Sequence, residues 1–319
     1  MKKKIHISVA LTTFNGEQFL REQLDSIYHQ TLLPDEVIVS DDGSSDSTPL
    51  ILEEYHKRYG LCYFIQSRNI GYNANFYYAI SMCKGDYIAL CDQDDVWLET
   101  KIADTYEAMQ KVENGPTVIS TQSLSTDASL KPLAKSQQHH CKSTPNKFTY
   151  IAMTGNEQGC TLLINRKMKD TILPLVHSHE DLRECYTYDA VICIIAASIG
   201  TMYTLDKETM LYRHHQNNAI GKLTKSGYTF TDKIYLRSRY IHFTDDDRLN
   251  ALEIIYTYYM PQMDNNVRQY YSILRTINHT HNIYYGIYKI FTLPLPLNKK
   301  INISFYSIAN HLLKLVIRQ

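Results

Sequence analysis

Tyr87-Ile88-Ala89-Leu90-Cys91-Asp92-Gln93-Asp94-Asp95 decides how this chain is read. The first five residues are apolar in succession, the pattern of a strand covered on both faces; a half-exposed strand would alternate. Three carboxylates follow within four residues, and like charges at that spacing repel and raise one another's pKa. A hard divalent cation relieves the repulsion. Mg²⁺ and Mn²⁺ prefer oxygen ligands, and Mg²⁺ takes one or two carboxylates and fills its other positions with water and substrate phosphate. The stretch therefore reads as a strand whose carboxyl end carries a metal–diphosphate site. A solvated acidic turn is the plainer alternative.

Working outward, strand-like and helix-like segments alternate through the first 120 residues. Ile5–Leu11, Glu36–Ser40 and Cys62–Gln66 have strand character. Glu17–Gln30 places Phe19, Leu20, Leu24, Ile27 and Tyr28 on one helical face, and helices are expected at Thr48–Tyr59, with Ser45 or Ser47 as cap, and at about Asn73–Met82. Short strands alternating with longer helices imply βαβ units and a doubly wound, mostly parallel sheet. Ligands of such sheets bind beyond the carboxyl ends of the strands. Asp41-Asp42 and Asp92–Asp95 both fall there. Further on, Thr161–Ile164 and Gly200–Leu205 read as strands, and Arg166–Ile172 and Tyr188–Ala197 as helices. Residues 122–147 are polar and read as a long surface loop.

The chain has 319 residues and zero formal net charge, so no global field favours nucleic acid. Seven cysteines show no CxxC or zinc-type spacing and read as reduced thiols. The basic Met1-Lys2-Lys3-Lys4 leads into a strand, not a signal peptide. Val191–Ile199, the longest apolar stretch, is about half of a membrane span. A cytoplasmic protein is expected.

The composition changes near Gly221. Twelve of the 26 tyrosines lie beyond it, and Asn265–Gln319 has seven Lys and Arg with no Asp or Glu. Residues 1–221 are therefore read as the catalytic domain and 222–319 as a Tyr-rich, basic helical region. Ile283–Phe291 and Ile303–Ile317 mix apolar, aromatic and basic residues, as helices at an anionic membrane surface do; the other reading, for the whole region, is a helical subdomain that packs its Tyr and Leu residues on the catalytic domain.

Three ordered strings resemble the family-2 glycosyltransferases: Ile7-Ser8-Val9-Ala10-Leu11-Thr12-Thr13-Phe14-Asn15-Gly16, Val39-Ser40-Asp41-Asp42-Gly43-Ser44-Ser45-Asp46, and Asp92-Gln93-Asp94-Asp95-Val96-Trp97. The resemblance covers roughly residues 5–221 and implies an inverting, nucleotide-sugar-dependent enzyme of the GT-A fold. The form Asp-Gln-Asp-Asp-x-Trp is most similar to the rhamnosyltransferase-type branch that builds bacterial surface polysaccharides.

Carried over position by position, the resemblance puts Thr13, Phe14 and Asn15 against the nucleotide base. It gives Asp42 the pyrimidine N3–H, a charge-assisted hydrogen bond that selects uracil or thymine over cytosine. Arg68 and Gly71 belong to the segment leading into the nucleotide-side helix. Asp92 and Asp94 face the ribose and metal, and Asp94, Asp95 and His215 are the implied metal ligands. Trp97 is either a wall for the sugar or a core residue, and Lys101, four residues on along a helix, is a surface lysine or one that approaches Asp95. Asp189 stands where relatives carry the general base after a histidine, here Tyr188; an Asp near a helix start also serves as a cap. Glu180, Asp181 and Glu184 are rival bases. Tyr212-Arg213-His214-His215-Gln216-Asn217-Asn218 matches a Tyr-Arg-x-His-x-Asn-Asn signature, with Arg213 neutralising phosphate.

The implied reaction moves a sugar, rhamnose from dTDP-rhamnose or a hexose from a UDP-sugar, onto a glycan or lipid-linked acceptor with Mg²⁺ or Mn²⁺. The basic tail would then sit at the cytoplasmic face of the inner membrane. A dehydrogenase or P-loop NTPase is excluded because GxGxxG and GxxxxGK[ST] are absent. A catalytically silent scaffold of a glycan-assembly complex is the alternative.

Overall fold

The computed structural model describes residues 5–133, 151, 157–215 and 246–279. Among these, eight strands form one sheet: β1 (Ile7–Thr13), β2 (Glu36–Asp41), β3 (Cys62–Ile65), β4 (Tyr87–Cys91), β5 (Val96–Trp97), β6 (Thr117–Thr126), β7 (Leu163–Asn165) and β8 (Thr201–Arg213). Their order across the sheet is β3-β2-β1-β4-β7-β6-β8-β5. The β3-β2-β1-β4 portion is parallel throughout. β7 then runs antiparallel to both β4 and β6, β6 and β8 are parallel, and β5 closes antiparallel on β8.

β1 and β4 lie at the centre, and every residue of each is buried. This accounts for the continuous apolar run of β4, since helices cover both faces; β1 is apolar except for Ser8, Thr12 and Thr13. Helix α1 (Leu20–Tyr28) buries Leu20, Gln23, Leu24 and Ile27, one stripe at helical spacing. Helix α2 (Thr48–Tyr59) has Pro49 in its first turn and ends on Gly60, whose φ of 75° is the left-handed cap that glycine adopts without strain. Helix α3 (Tyr72–Met82) starts after Gly71, and α4 (Lys101–Val112) follows β5. Helix α5 (Arg166–Ser178) is capped by Asn165, whose side chain accepts from Met168 N. The short α6 (Glu180–Cys185) and the apolar α7 (Tyr188–Ile199) complete this part. Two buried clusters result, one on each side of the sheet.

The expected surface loop at 122–147 needs correction at its start. β6 continues to Thr126, and Thr121, Gln122, Ser123, Ser125 and Thr126 are buried. Their polarity is satisfied across the strand pair: Ser120 Oγ donates to Thr204 Oγ1 at 3.0 Å, and the Thr121 and Thr209 hydroxyls meet at 2.6 Å. The rest of that expected loop from residue 134 lies outside the described residues.

Helices α8 (Asp246–Tyr259) and α9 (Asn265–His279) place Leu252, Ile255, Tyr259, Val267 and Tyr271 in the same cluster as α3, α5 and α7. The Tyr259 hydroxyl donates to Thr171 O at 2.6 Å. Residues beyond the expected boundary at 221/222 thus share the core of the α/β portion. The expected surface helices Ile283–Phe291 and Ile303–Ile317 lie outside the described residues. No helix among the described residues is long and apolar enough to cross a membrane.

Candidate active site

The carboxyl ends of β1, β2 and β4 meet at one edge of the sheet because the three strands are parallel neighbours. Side chains and amides bind these ends together. Gln93 accepts from Thr13 Oγ1 at 2.6 Å and from Phe14 N at 2.8 Å, and its Nε2 donates to Phe14 O at 3.1 Å. Asp42 N donates to Thr13 O at 2.8 Å. Asn15, at φ 48°, occupies the left-handed region that Asn tolerates, and its Oδ1 accepts from Ser45 N at 2.9 Å. A Cβ on Gly16 would lie 2.3 Å from Gln93 Oε1, so only glycine leaves room for this stitch.

Asp42 is buried, and its two oxygens accept from Ile70 N at 2.7 Å and Gly71 N at 3.0 Å. Burial raises its pKa against those two bonds. Gly71, at φ 86°, makes the turn that aims the Ile70 and Gly71 amides at Asp42. Arg68 is exposed, and its carbonyl carbon sits 3.4 Å from where a Cβ on Gly43 would be. Asp41 is fully buried and closes the turn by accepting from the amide and hydroxyl of Ser44.

The acidic loop divides its carboxylates. Asp94 accepts from His215 Nε2 at 2.7 Å, and the His215 ring packs on Phe19 at 4.8 Å. Asp95 is completely buried: Oδ1 accepts from Arg213 N at 3.1 Å, and the Cys160 thiol is its other hydrogen-bond partner. Asp92 is partly buried, and burial raises its pKa, with Asp94 and Asp189 adding repulsion. Burial raises Asp95 further, with Asp94 and Asp92 adding to it. A carboxylate oxygen from each of Asp92 and Asp95 and the Cys160 sulfur all lie within 4.8 Å of one another. Buried, mutually repelling acids at a strand end fit a divalent cation.

Asp189 lies in the first turn of α7, which Thr187 caps. Its Oδ1 accepts from Ala190 N at 2.7 Å, and burial raises its pKa against bonds from Thr187, Ala190 and Gly159. Asn73 fixes this turn: its Nδ2 donates to Arg183 O and Tyr186 O, and its Oδ1 accepts from Tyr188 N. Tyr188 stacks on Phe76 at 3.8 Å, and its hydroxyl would be 1.9 Å from a Cβ on Gly159. Of the rival bases, Glu180 is exposed and pairs with Arg183, and Asp181 is exposed.

Three residues take places other than those expected. Trp97 is buried in the core cluster with α1 and α4, so the core alternative holds and it gives the cleft no wall. Arg213 is 2% exposed. Its Nε donates to Asp94 O at 2.8 Å, Nη1 donates to Ala128 O at 2.7 Å, Nη2 pairs with Glu22, and its guanidinium covers Phe19 at 4.4 Å. It clamps the acidic loop and is not presented to a phosphate. Lys101, expected at the surface, is 1% exposed, with the Met210 thioether at 3.9 Å and the Trp97 ring at 5.1 Å; burial pushes its pKa down to about 8. Sequence reasoning also passed over Gln93, Asn73 and Cys160. Of these, Gln93 alone carried a signal, its place between carboxylates.

The profile of glycosyl transferase family 2 matches residues 8–172, just over half of the chain. The chain belongs to glycosyl transferase family 2. Within the family, uncharacterised mycobacterial proteins, among them one of Mycobacterium tuberculosis, are 41% identical over 96 residues; the chain spans 28% of their length. The dTDP-rhamnosyl transferase RfbG of Shigella flexneri is 28% identical over 222 residues, 66% of this chain and 73% of that protein. Among solved structures, Staphylococcus aureus TarS with UDP-GlcNAc superposes with a TM-score of 0.57 at 16% identity, over 94% of this chain and 79% of that one. The mannosyltransferase PcManGT of Pyrobaculum calidifontis with GDP-Man and Mn²⁺ gives 0.50 at 14% identity, over 98% and 88%. These two likenesses establish the GT-A fold.

Proposed function

We propose that this protein transfers a sugar from a nucleoside-diphosphate donor to a glycan or lipid-linked acceptor with inversion. Rhamnose from dTDP-rhamnose is the first choice and a hexose from a UDP-sugar the second. The observation that carries the reading is the set of acids gathered at one sheet edge, Asp92, Asp94 and Asp95, where burial and mutual repulsion raise the pKa of Asp92 and Asp95, with His215 on Asp94. Likeness to RfbG over two thirds of the chain supports the rhamnosyl choice.

In this reading Asp42 accepts the N3–H of a thymine or uracil base, using the lone pairs that Ile70 and Gly71 leave free. Thr13, Phe14, Asn15, Arg68 and Gly71 frame the base and ribose side. Asp94, Asp95 and His215 would hold Mg²⁺ or Mn²⁺. Bound there, the ion supplies electrostatic stabilisation to the charge that builds on the leaving diphosphate. Asp189, across from Asp92, takes the acceptor's hydroxyl proton as that oxygen attacks the anomeric carbon. Its raised pKa strengthens it as a base. Arg213 keeps the acidic loop in place through Asp94 O and the Asp95 carboxylate.

A panel of dTDP-, UDP- and GDP-sugars with Mg²⁺ or Mn²⁺ tests this by release of nucleoside diphosphate. Release from dTDP-rhamnose or a UDP-sugar is expected. No release from any donor, together with no calorimetric binding of dTDP and Mn²⁺, would replace the enzyme with a silent scaffold.

A further inference from the structure

One side of α3 is built onto the segment that carries Asp189. Asn73 holds the Arg183 and Tyr186 carbonyls and the Tyr188 amide, and Phe76 stacks on Tyr188 at 3.8 Å. Tyr72 precedes Asn73 and Tyr77 follows Phe76, and at helical spacing all four lie on the same side of the helix. Tyr77 is 3% exposed, and its hydroxyl is buried with no hydrogen-bond partner among the described residues. Burial raises its pKa, Asp189 and then Tyr72 raise it further, and Arg183 opposes them, so these three groups are the ones its hydroxyl faces. The Asp189 carboxylate is committed to Thr187, Ala190 and Gly159. The ring of Tyr72 stands half exposed beside the same carboxylate. A buried hydroxyl without a partner costs free energy, and phenylalanine would fill the same space without that cost. Packing therefore accounts for the Tyr77 ring and leaves its oxygen unexplained.

We propose that Tyr72 and Tyr77 form an acceptor subsite beside Asp189 and select a pyranoside that carries a free hydroxyl next to the one that reacts. The inference rests on the reading of Asp189 as general base, because that carboxylate fixes where the reacting hydroxyl lies. The Tyr77 phenol donates to the neighbouring hydroxyl. It does not serve the attacking oxygen, since a donated hydrogen bond would withdraw electron density from the atom that attacks. The Tyr72 ring covers the C–H face of the sugar, and its exposed half is what an arriving acceptor meets. A site built to hydrogen-bond a substrate hydroxyl rejects the analogue that lacks it, because the buried polar group of the site then stays unpaired. Tyr77 is in that way a specificity-determining group, and the hydroxyl that packing leaves unexplained is the one that reads the acceptor.

The test is saturation-transfer NMR on the full chain with dTDP and Mg²⁺. The probes are methyl α-L-rhamnopyranoside, methyl β-D-glucopyranoside and methyl β-D-galactopyranoside, each with its monodeoxy analogues. The wild type is expected to bind at least one parent glycoside, and to bind one of its deoxy analogues roughly 3–10-fold more weakly, the value of one hydrogen bond. Tyr77→Phe should bind that parent and that analogue alike, with dTDP affinity and melting temperature no lower than in the wild type. Tyr72→Ala, at an exposed position, should weaken the bound glycosides about tenfold. Wild-type discrimination retained in Tyr77→Phe overturns the proposal. So does a fall in melting temperature with glycoside binding unchanged, which would mark the hydroxyl as partnered within the fold. A wild type that binds dTDP and none of the glycosides overturns it too. Should Tyr77→Phe fail to fold, Tyr72→Ala decides: a tenfold loss supports the subsite and unchanged binding overturns it. Equal turnover by Asp189→Asn, with discrimination lost in Tyr77→Phe, removes the base assignment and leaves the subsite; binding of neither dTDP nor any glycoside removes both.

Discussion

Arg213→Ala separates two roles for the cation beside the acidic loop. As a phosphate ligand, Arg213 would be exchangeable at little loss of stability, and its removal would weaken donor binding. As a clamp, its removal must loosen the loop. The hydrogen bond from the guanidinium to Asp94 O is worth about 1.5–3 kcal/mol, being charge-assisted. The bond to Ala128 O counts for less, about 1 kcal/mol, because Ala128 is exposed and water takes over. Glu22 is 55% exposed, so its ion pair adds under about 1 kcal/mol. The contact with Phe19 adds roughly 0.5–2 kcal/mol. These terms give about 3–7 kcal/mol, and because they share one side chain the lower half of that range, about 3–5 kcal/mol, is the expectation. That is a large part of a typical domain's stability. Urea unfolding followed by fluorescence measures it. A shift under about 1 kcal/mol, with a loss of nucleotide affinity at unchanged stability, would refute the clamp and restore the phosphate ligand.

Asp189→Asn should keep nucleotide binding and lower transfer by roughly 10²–10⁴-fold, the range for removal of a general base; equal turnover would reassign that role. Gly159→Ala should destabilise by about 1–3 kcal/mol or more through its collision with Tyr188, read from the melting temperature, and an unchanged melting temperature would contradict the packing described. Burial raises the pKa of Asp92, Asp95 and Asp189 in the folded state, so the native protein holds those protons more tightly than the unfolded chain. Their stabilisation is fully present below the ordinary carboxylate pKa and is lost as pH rises through the raised values. The metal-free melting temperature should therefore fall from mildly acidic to alkaline pH, and added Mn²⁺ should flatten the fall. A melting temperature that rises with pH without metal would refute this. Truncation after Lys222 should yield aggregating protein, since Leu252, Ile255, Tyr259 and Tyr271 belong to the main core; Ile255→Ala alone should cost about 2–5 kcal/mol in urea unfolding.

Much of this arrangement was legible in the sequence because hydrophobic period and strand-end chemistry coincide. β4 and α2 fall at the expected residues, and Asp42 and Asp92–Asp95 stand at the carboxyl ends of β2 and β4 as the strand pattern implies, while the positions of Asp189 and His215 came only from the resemblance. β6 was half-hidden because its buried positions are hydroxyls and amides that pair across β8, so its second half shows no apolar alternation. Lys101 and Arg213 were misplaced for a related reason. Charged side chains default to the surface, and only tertiary partners, the Trp97 ring for one and the Asp94 carbonyl for the other, hold them inside. Packing of the region after Gly221 on the catalytic domain was one of the two readings its composition left open, but which residues enter the shared core could not be read there, because composition registers residue types and not who packs on whom.

Gln93 has a consequence for fidelity. A single amide side chain accepts from two groups at the end of β1 and donates to a third, so the end of β1 and the peptide that bears Asp92 and Asp94 are one mechanical piece. If the end of β1 reads the base and the acids hold the diphosphate, as proposed, a donor with an ill-fitting base would tilt that piece and misalign those acids. Such a donor is penalised twice, once where it is read and once where it would react.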